Sequence, residues 1–156
     1  MVENLNNSMD TMPDAYAAIR GSGNSPIRGD VYFYGVHGGT IVVAKIYGLP
    51  ENGQGNFYGF HIHEGNSCTG DASDPFKNTG DHYNPAKAEH PKHAGDLPVL
   101  MGNEGTAWCE VYTNRFNPED VIGKTVVIHD MADDFRSQPS GDSGMKIACG
   151  IIKEMD

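Results

Sequence analysis

The chain has 156 residues, 38% of them apolar and 21% charged. This size fits one domain, and with no apolar run near the about 18 residues a spanning helix needs, it excludes both a membrane span and wholesale disorder. Eleven Lys and Arg stand against 21 Asp and Glu, a net charge of −10, and the few basic residues form no block, so nucleic acid and anionic membrane surfaces are excluded as partners.

Residues 1–13 are polar, carry three Met and show no apolar period, so they read as a flexible N-terminal tail ahead of one domain over 14–156. No signal peptide is visible in this stretch, which implies a cytoplasmic protein as written, or a periplasmic or extracellular one if the chain is a trimmed form. From Ala15 the runs AYAAIRG, DVYFYGV and TIVVAKIYGL are rich in β-branched and aromatic residues, with a tight hairpin signal at His37-Gly38-Gly39. After the turn ENGQGN, the run FYGFHIHE predicts another strand. Its alternation puts Phe60 and Ile62 on one face and His61 and His63 on the other.

From Glu64 to Pro98 the chain is crowded with Gly, Asn, Asp, Pro and His and has almost no regular period. A loop of that length in a compact domain needs something to order it, and a metal ion is the obvious agent. Strands resume at GTAWCEVYT and KTVVIHD, joined by the turn-bearing connection NRFNPEDVIG. A second irregular loop, MADDFRSQPSGDSG, leads to a last strand, MKIACGII. The pattern of short strands and two long loops, with 20 Gly and nine Pro, predicts an all-β Greek-key barrel or sandwich.

Six of the seven histidines, His61, His63, His82, His90, His93 and His129, fall at strand ends or in the long loop beside acidic residues. His37, in its hairpin turn, stands apart. His90, His93 and Asp96 are spaced three apart, with His82 eight residues earlier. That is a three-nitrogen, one-oxygen set, closed and tetrahedral, which suits a structural Zn²⁺. His61 and His63, joined by His129 from a distant strand, make an imidazole-only set, which favours Cu²⁺. Three cysteines, Cys68, Cys109 and Cys149, allow at most one intramolecular disulfide and leave one thiol over.

The segments GFHIHEGNSC, GDHYNP, KHAGDL, GKTVVIHDMADD and GMKIACGII resemble, in order, the motifs of copper,zinc superoxide dismutase over about 15–152. The resemblance is to the bacterial branch, from the short spacing between His63 and Cys68 and from GDLP after the zinc-ligand histidine. It implies a flattened eight-stranded Greek-key β-barrel, of the immunoglobulin-like sandwich kind, with two long functional loops. It also implies copper on His61, His63, His82 and His129, and zinc on His82, His90, His93 and Asp96, with the His82 ring shared. Asp133 would link the free ring nitrogens of His61 and His90. Cys68 and Cys149 would form a disulfide, leaving Cys109 a buried or half-buried free thiol.

The activity implied is disproportionation of superoxide anion to O₂ and H₂O₂, with His82 as proton carrier and Lys146 supplying local positive charge where the family usually carries Arg. Arg136 is a weaker second candidate for that charge. A lysine keeps the charge but gives up the planar fork of arginine. The rival reading is a non-catalytic copper- or zinc-binding or copper-delivery protein of the same fold, which would be expected to have lost a copper ligand or the guiding charge. A homodimer is compatible with the resemblance.

Overall fold

The computed structural model describes residues 11–156. The expected tail falls mostly outside them, since residues 1–10 are not described. Nine strands run in chain order: β1 (Ala15–Gly21), β2 (Arg28–Val36), β3 (Gly39–Tyr47), β4 (Phe57–Tyr58), β5 (Phe60–His63), β6 (Leu100–Met101), β7 (Ala107–Thr113), β8 (Thr125–His129) and β9 (Lys146–Glu154). A short α-helix, α1 (Pro118–Val121), interrupts the connection before β8. It is capped by Asn117 and Asp120 in a reciprocal pair, with Pro118 at its start.

Seven strands form one antiparallel sheet in the order β5-β8-β9-β1-β2-β3-β7, and β4 pairs with β6 beside it. The sheet curls into a Greek-key β-barrel. The expected strand FYGFHIHE is divided at Gly59, where an added Cβ would lie 2.8 Å from the Ser143 side chain. This division, together with the short β6, turns the seven runs read from the sequence into nine strands among the described residues, against the eight that the resemblance implies. Val36 pairs with Gly39 across the hairpin, so His37 and Gly38 form its two-residue turn, with Gly38 at φ 82°.

Alternation fills the barrel. Ile19, Val31, Phe33, Val42, Ala44, Ile46, Phe60, Ile62, Val126, Ile128, Ala148 and Ile152 are all buried in one cluster. Burying each Val, Ile or Phe side chain among them contributes about 1.5–3 kcal/mol. The residues between them on β5 and β8, His61, His63, Val127 and His129, therefore point out of the barrel wall. They are nonetheless buried, because the two long loops fold back over that outer face. Phe76 packs there against Val127 and the Cys68–Cys149 disulfide in a small second cluster.

Candidate metal centre

The outer face of β5 and β8 is where the first set assembles. His61 pairs with Val127 and His63 with Thr125, and a register shift between Ile128 and His129 brings His129 opposite Lys146. The free edge of β5 is covered by loop backbone: Tyr83 N donates to Ile62 O at 2.8 Å, and Ile62 N donates to Gly95 O at 2.9 Å. These bonds set His82 beside His63 and Asp96 beside His61. The close approach requires glycine at 95, since a Cβ there would lie 2.2 Å from Ile62 O.

His61, His63, His82 and His129 are brought together, and so are His82, His90, His93 and Asp96; within each group the potential ligand atoms lie within 4.8 Å of one another. His82 belongs to both. His37 is exposed in its hairpin and joins neither group. The rings of His61 and His82 are 4.0 Å apart between centroids, and those of His63 and His82 4.9 Å.

In four of the histidines the outer nitrogen faces a protein oxygen, which leaves the other ring nitrogen as a lone pair. His61 Nε2 donates to Asp133 Oδ2 at 2.7 Å, and His90 Nε2 to Asp133 Oδ1 at 2.8 Å. Asp133 Oδ1 also accepts from Phe135 N at 2.7 Å. His63 Nδ1 donates to Gly80 O at 2.8 Å, and His129 Nδ1 lies 3.5 Å from Gly144 O. In these tautomers His63 Nε2 and His129 Nε2 face each other 3.3 Å apart as two acceptors. His82 Nδ1 lies 2.7 Å from Asp96 Oδ1 and 3.2 Å from His93 Nδ1.

Among the described residues, three buried ring nitrogens have no hydrogen-bond partner: His61 Nδ1, His82 Nε2 and His90 Nδ1. His90 Nδ1 sits 3.1 Å from Asp96 Oδ2 but without the alignment of a hydrogen bond. Unsatisfied buried polar atoms are rare and costly, about 1–3 kcal/mol each, and lone pairs gathered within a ligand set are what a cation requires. The residues therefore fit two ions. All-imidazole donors suit copper, and three nitrogens with one carboxylate suit zinc.

The electrostatics favour neutral imidazoles at three positions of the first set and ionised carboxylates at Asp96 and Asp133. Burial pushes His61, His63 and His129 below the usual histidine range, His129 to about 3, and neighbouring imidazoles add to the effect. Burial opposes ionisation of Asp133, but the hydrogen bonds from His61 and His90 outweigh it and bring the carboxyl to about 2. Asp96 is likewise lowered against its own burial by His82, His90 and His93. All four first-set imidazoles need to be neutral to bind an ion, and both carboxylates are ionised.

A channel of about 490 Å³ reaches this centre, lined by His63, His82, His93, His129, Lys146, Glu64, Asp81 and Glu89. Lys146 Nζ lies 3.4 Å from both Phe76 O and Gly80 O, and 3.8 Å from Asp74 Oδ2. The lysine thus holds two backbone carbonyls at once, without the arginine fork. Gly80 O serves both Lys146 and His63. Arg136 is not brought to the channel: its side chain is 86% exposed and reaches only Asp134, at 3.9 Å. Cys68 and Cys149 are disulfide-bonded, and Cys109 is a half-buried free thiol whose pKa is raised by burial and by Glu110.

Two anchoring residues carried no signal in the sequence. Gln138 clamps the main chain of His90, accepting from His90 N at 2.9 Å and donating to His90 O at 2.7 Å. Arg115 Nη1 donates to Pro91 O at 2.8 Å and to His93 O at 3.0 Å. The segment that carries the second set is held from both sides. A family model for copper/zinc superoxide dismutase matches residues 27–152 of the chain.

Proposed function

The chain belongs to the copper/zinc superoxide dismutase family, and from that membership and the two ligand sets we propose that it disproportionates superoxide, 2 O₂⁻ + 2 H⁺ giving O₂ and H₂O₂. Copper would be held by His61 Nδ1 and by Nε2 of His63, His82 and His129. Zinc would be held by Nδ1 of His82, His90 and His93 and by the Asp96 carboxylate. When bound, copper supplies the one-electron couple the reaction needs, and zinc supplies fixed positive charge without redox chemistry.

The protein's own residues do the rest. Asp133 fixes the rings of His61 and His90 with one carboxylate, so the two sets keep a constant spacing. Gly80 O orients His63. His82 is the proton carrier: the residue lines the channel, and its Nε2 has no hydrogen-bond partner in the protein to compete for a proton. Lys146 draws the anion down a channel whose other formal charges, Glu64, Asp81 and Glu89, repel it. Asp133, Cys68 and Cys149 complete the site as supports for the ligands.

The observation that carries this reading is the convergence of three orphaned, buried ring nitrogens on two sets joined through His82. The test is decay of superoxide, followed by its ultraviolet absorbance, over protein shown by elemental analysis to hold one copper and one zinc per chain. Acceleration that depends on the bound copper supports the reading. A fully loaded protein that leaves superoxide decay unchanged would instead be a store or carrier of the two metals.

A further inference from the structure

The disulfide that fastens the first long loop to β9 faces solvent through a cavity of about 290 Å³, on the side of the sheet formed by β1 and β9. Both half-cystines line it, together with Tyr16, Arg20 and Lys153. Strand pairing explains the arrangement: Arg20 stands opposite Cys149 and Tyr16 opposite Lys153. The lining holds two cations and no carboxylate, although the whole chain carries −10. Arg20 and Lys153 are exposed, and among the described residues neither forms an ion pair. Arg20 Nη1 is held back on Ile19 O at 2.7 Å, which keeps the guanidinium at the strand.

The two sulfurs are not equivalent. Cys149 is 3% exposed and sits among Phe76 and Val127, whereas Cys68 is half-buried on the loop. Thiol–disulfide exchange needs a thiolate with access to one sulfur, and local positive charge raises the concentration of an anion there.

We propose that this cavity is a docking site for a small anionic thiol, one bearing carboxylates near its sulfur, which opens the disulfide by exchange at Cys68. The thiolate sulfur forms a bond to Cys68 Sγ, the Cys68–Cys149 bond breaks, and its electron pair leaves on Cys149 Sγ as a thiolate. The incoming sulfur is oxidised to the disulfide level as Cys149 is reduced, so no further oxidant or reductant is needed. The Cys149 thiolate stays on β9 beside Cys68 and can attack Cys68 Sγ in turn, expelling the small thiol, so the exchange is reversible. Opening removes the covalent tie between β9 and the loop that carries Phe76 O and Gly80 O, and so loosens the support of the two carbonyls that hold Lys146. The consequence for Lys146 rests on the proposed function; the docking itself does not.

The test uses the full-length oxidised chain, zinc-loaded and kept anaerobic, with mercaptosuccinate, 2-mercaptoethanol and cysteamine. Rates per thiolate are normalised to the same thiols acting on 2-hydroxyethyl disulfide, and products are trapped by alkylation and located by mass spectrometry. Mercaptosuccinate is expected to react about three- to tenfold faster than 2-mercaptoethanol, with cysteamine slowest. The advantage should shrink at about 0.5 M salt, where the Debye length falls to a few ångströms. Arg20→Gln combined with Lys153→Gln should remove it while leaving the 2-mercaptoethanol rate in place. Cysteamine reacting fastest would mean that the global charge governs, and would overturn the proposal. So would an unchanged order in the double variant, or a mixed disulfide found on Cys149 instead of Cys68.

Discussion

Replacing Lys146 by Gln and then by Glu moves the charge at the channel in equal steps from +1 to 0 to −1. The starting position is well defined, because the side chain is only 17% exposed and Nζ rests between Phe76 O and Gly80 O. Lys146 is the only Lys or Arg among the described residues that line the channel. One unit charge acting on an anion about 7 Å away, at an effective dielectric of about 40–80, is worth about 0.6–1.2 kcal/mol. Each step should therefore lower the second-order rate constant about three- to eightfold, so Lys146→Glu falls by roughly the square of the effect of Lys146→Gln. The assay is pulse radiolysis on variants matched for copper and zinc content, at two ionic strengths. The wild-type rate should fall with salt, and the Lys146→Glu rate should flatten or rise, since screening acts over about 8–10 Å. Lys146→Arg should hold the rate. Equal losses for Gln and Glu would show that the contacts to the two carbonyls matter and the charge does not. No loss in either would remove Lys146 from the reaction.

Four further outcomes are expected. His82→Ala should weaken copper and zinc binding together in chelator-competition titrations, because one ring serves both sets, and His37→Ala should change neither affinity. Reducing the Cys68–Cys149 bond, which spans 81 residues, should cost the metal-free chain about 4.5 kcal/mol on the chain-entropy model, a fall in Tm of about 9–18 °C that urea and thermal unfolding will register. Gly141→Ala would set a Cβ 1.9 Å from Asp133 Oδ1 and 2.7 Å from His90 Nε2 at a φ of +75°, and should lower metal affinity about 10–100-fold in the same titrations. Because burial lowers the folded-state pKa of His61, His63 and His129, the unfolded metal-free chain binds more protons below pH 6.5; stability should be fully present above that pH and be lost as pH falls toward about 3, which unfolding curves across that window will show.

The strands could be read in advance because a barrel wall imposes a period of two, and β-branched and aromatic residues at alternate positions have few other ways to bury themselves. The same period put His61 and His63 on one face before any fold was known, and the spacing of His90, His93 and Asp96 showed a local ligand set. What the sequence could not display is how the rings are aimed. An imidazole offers a lone pair to an ion only when its other nitrogen is occupied, and here, beside the two carboxylate oxygens of Asp133, two of the four occupants are main-chain oxygens, those of Gly80 and Gly144. Any residue carries such an oxygen, so no residue type marks it. Gln138 is invisible for a related reason: it grips the backbone of His90 from 48 positions away, and a glutamine in a polar loop looks like any solvated one. Arg136 shows the converse, a charge that local sequence offered to the site and the loop's path left in water. Residue identity thus determines which atoms can bind an ion, while the course of the two loops determines which of those atoms are left without another partner. The three orphaned nitrogens are where the two meet, and Asp133 shows why neither part suffices: its position in an acidic loop does not mark it, the link to His61 and His90 is expected only from the family resemblance, and it joins both sets because β5 and the long loop deliver those two rings to its two oxygens.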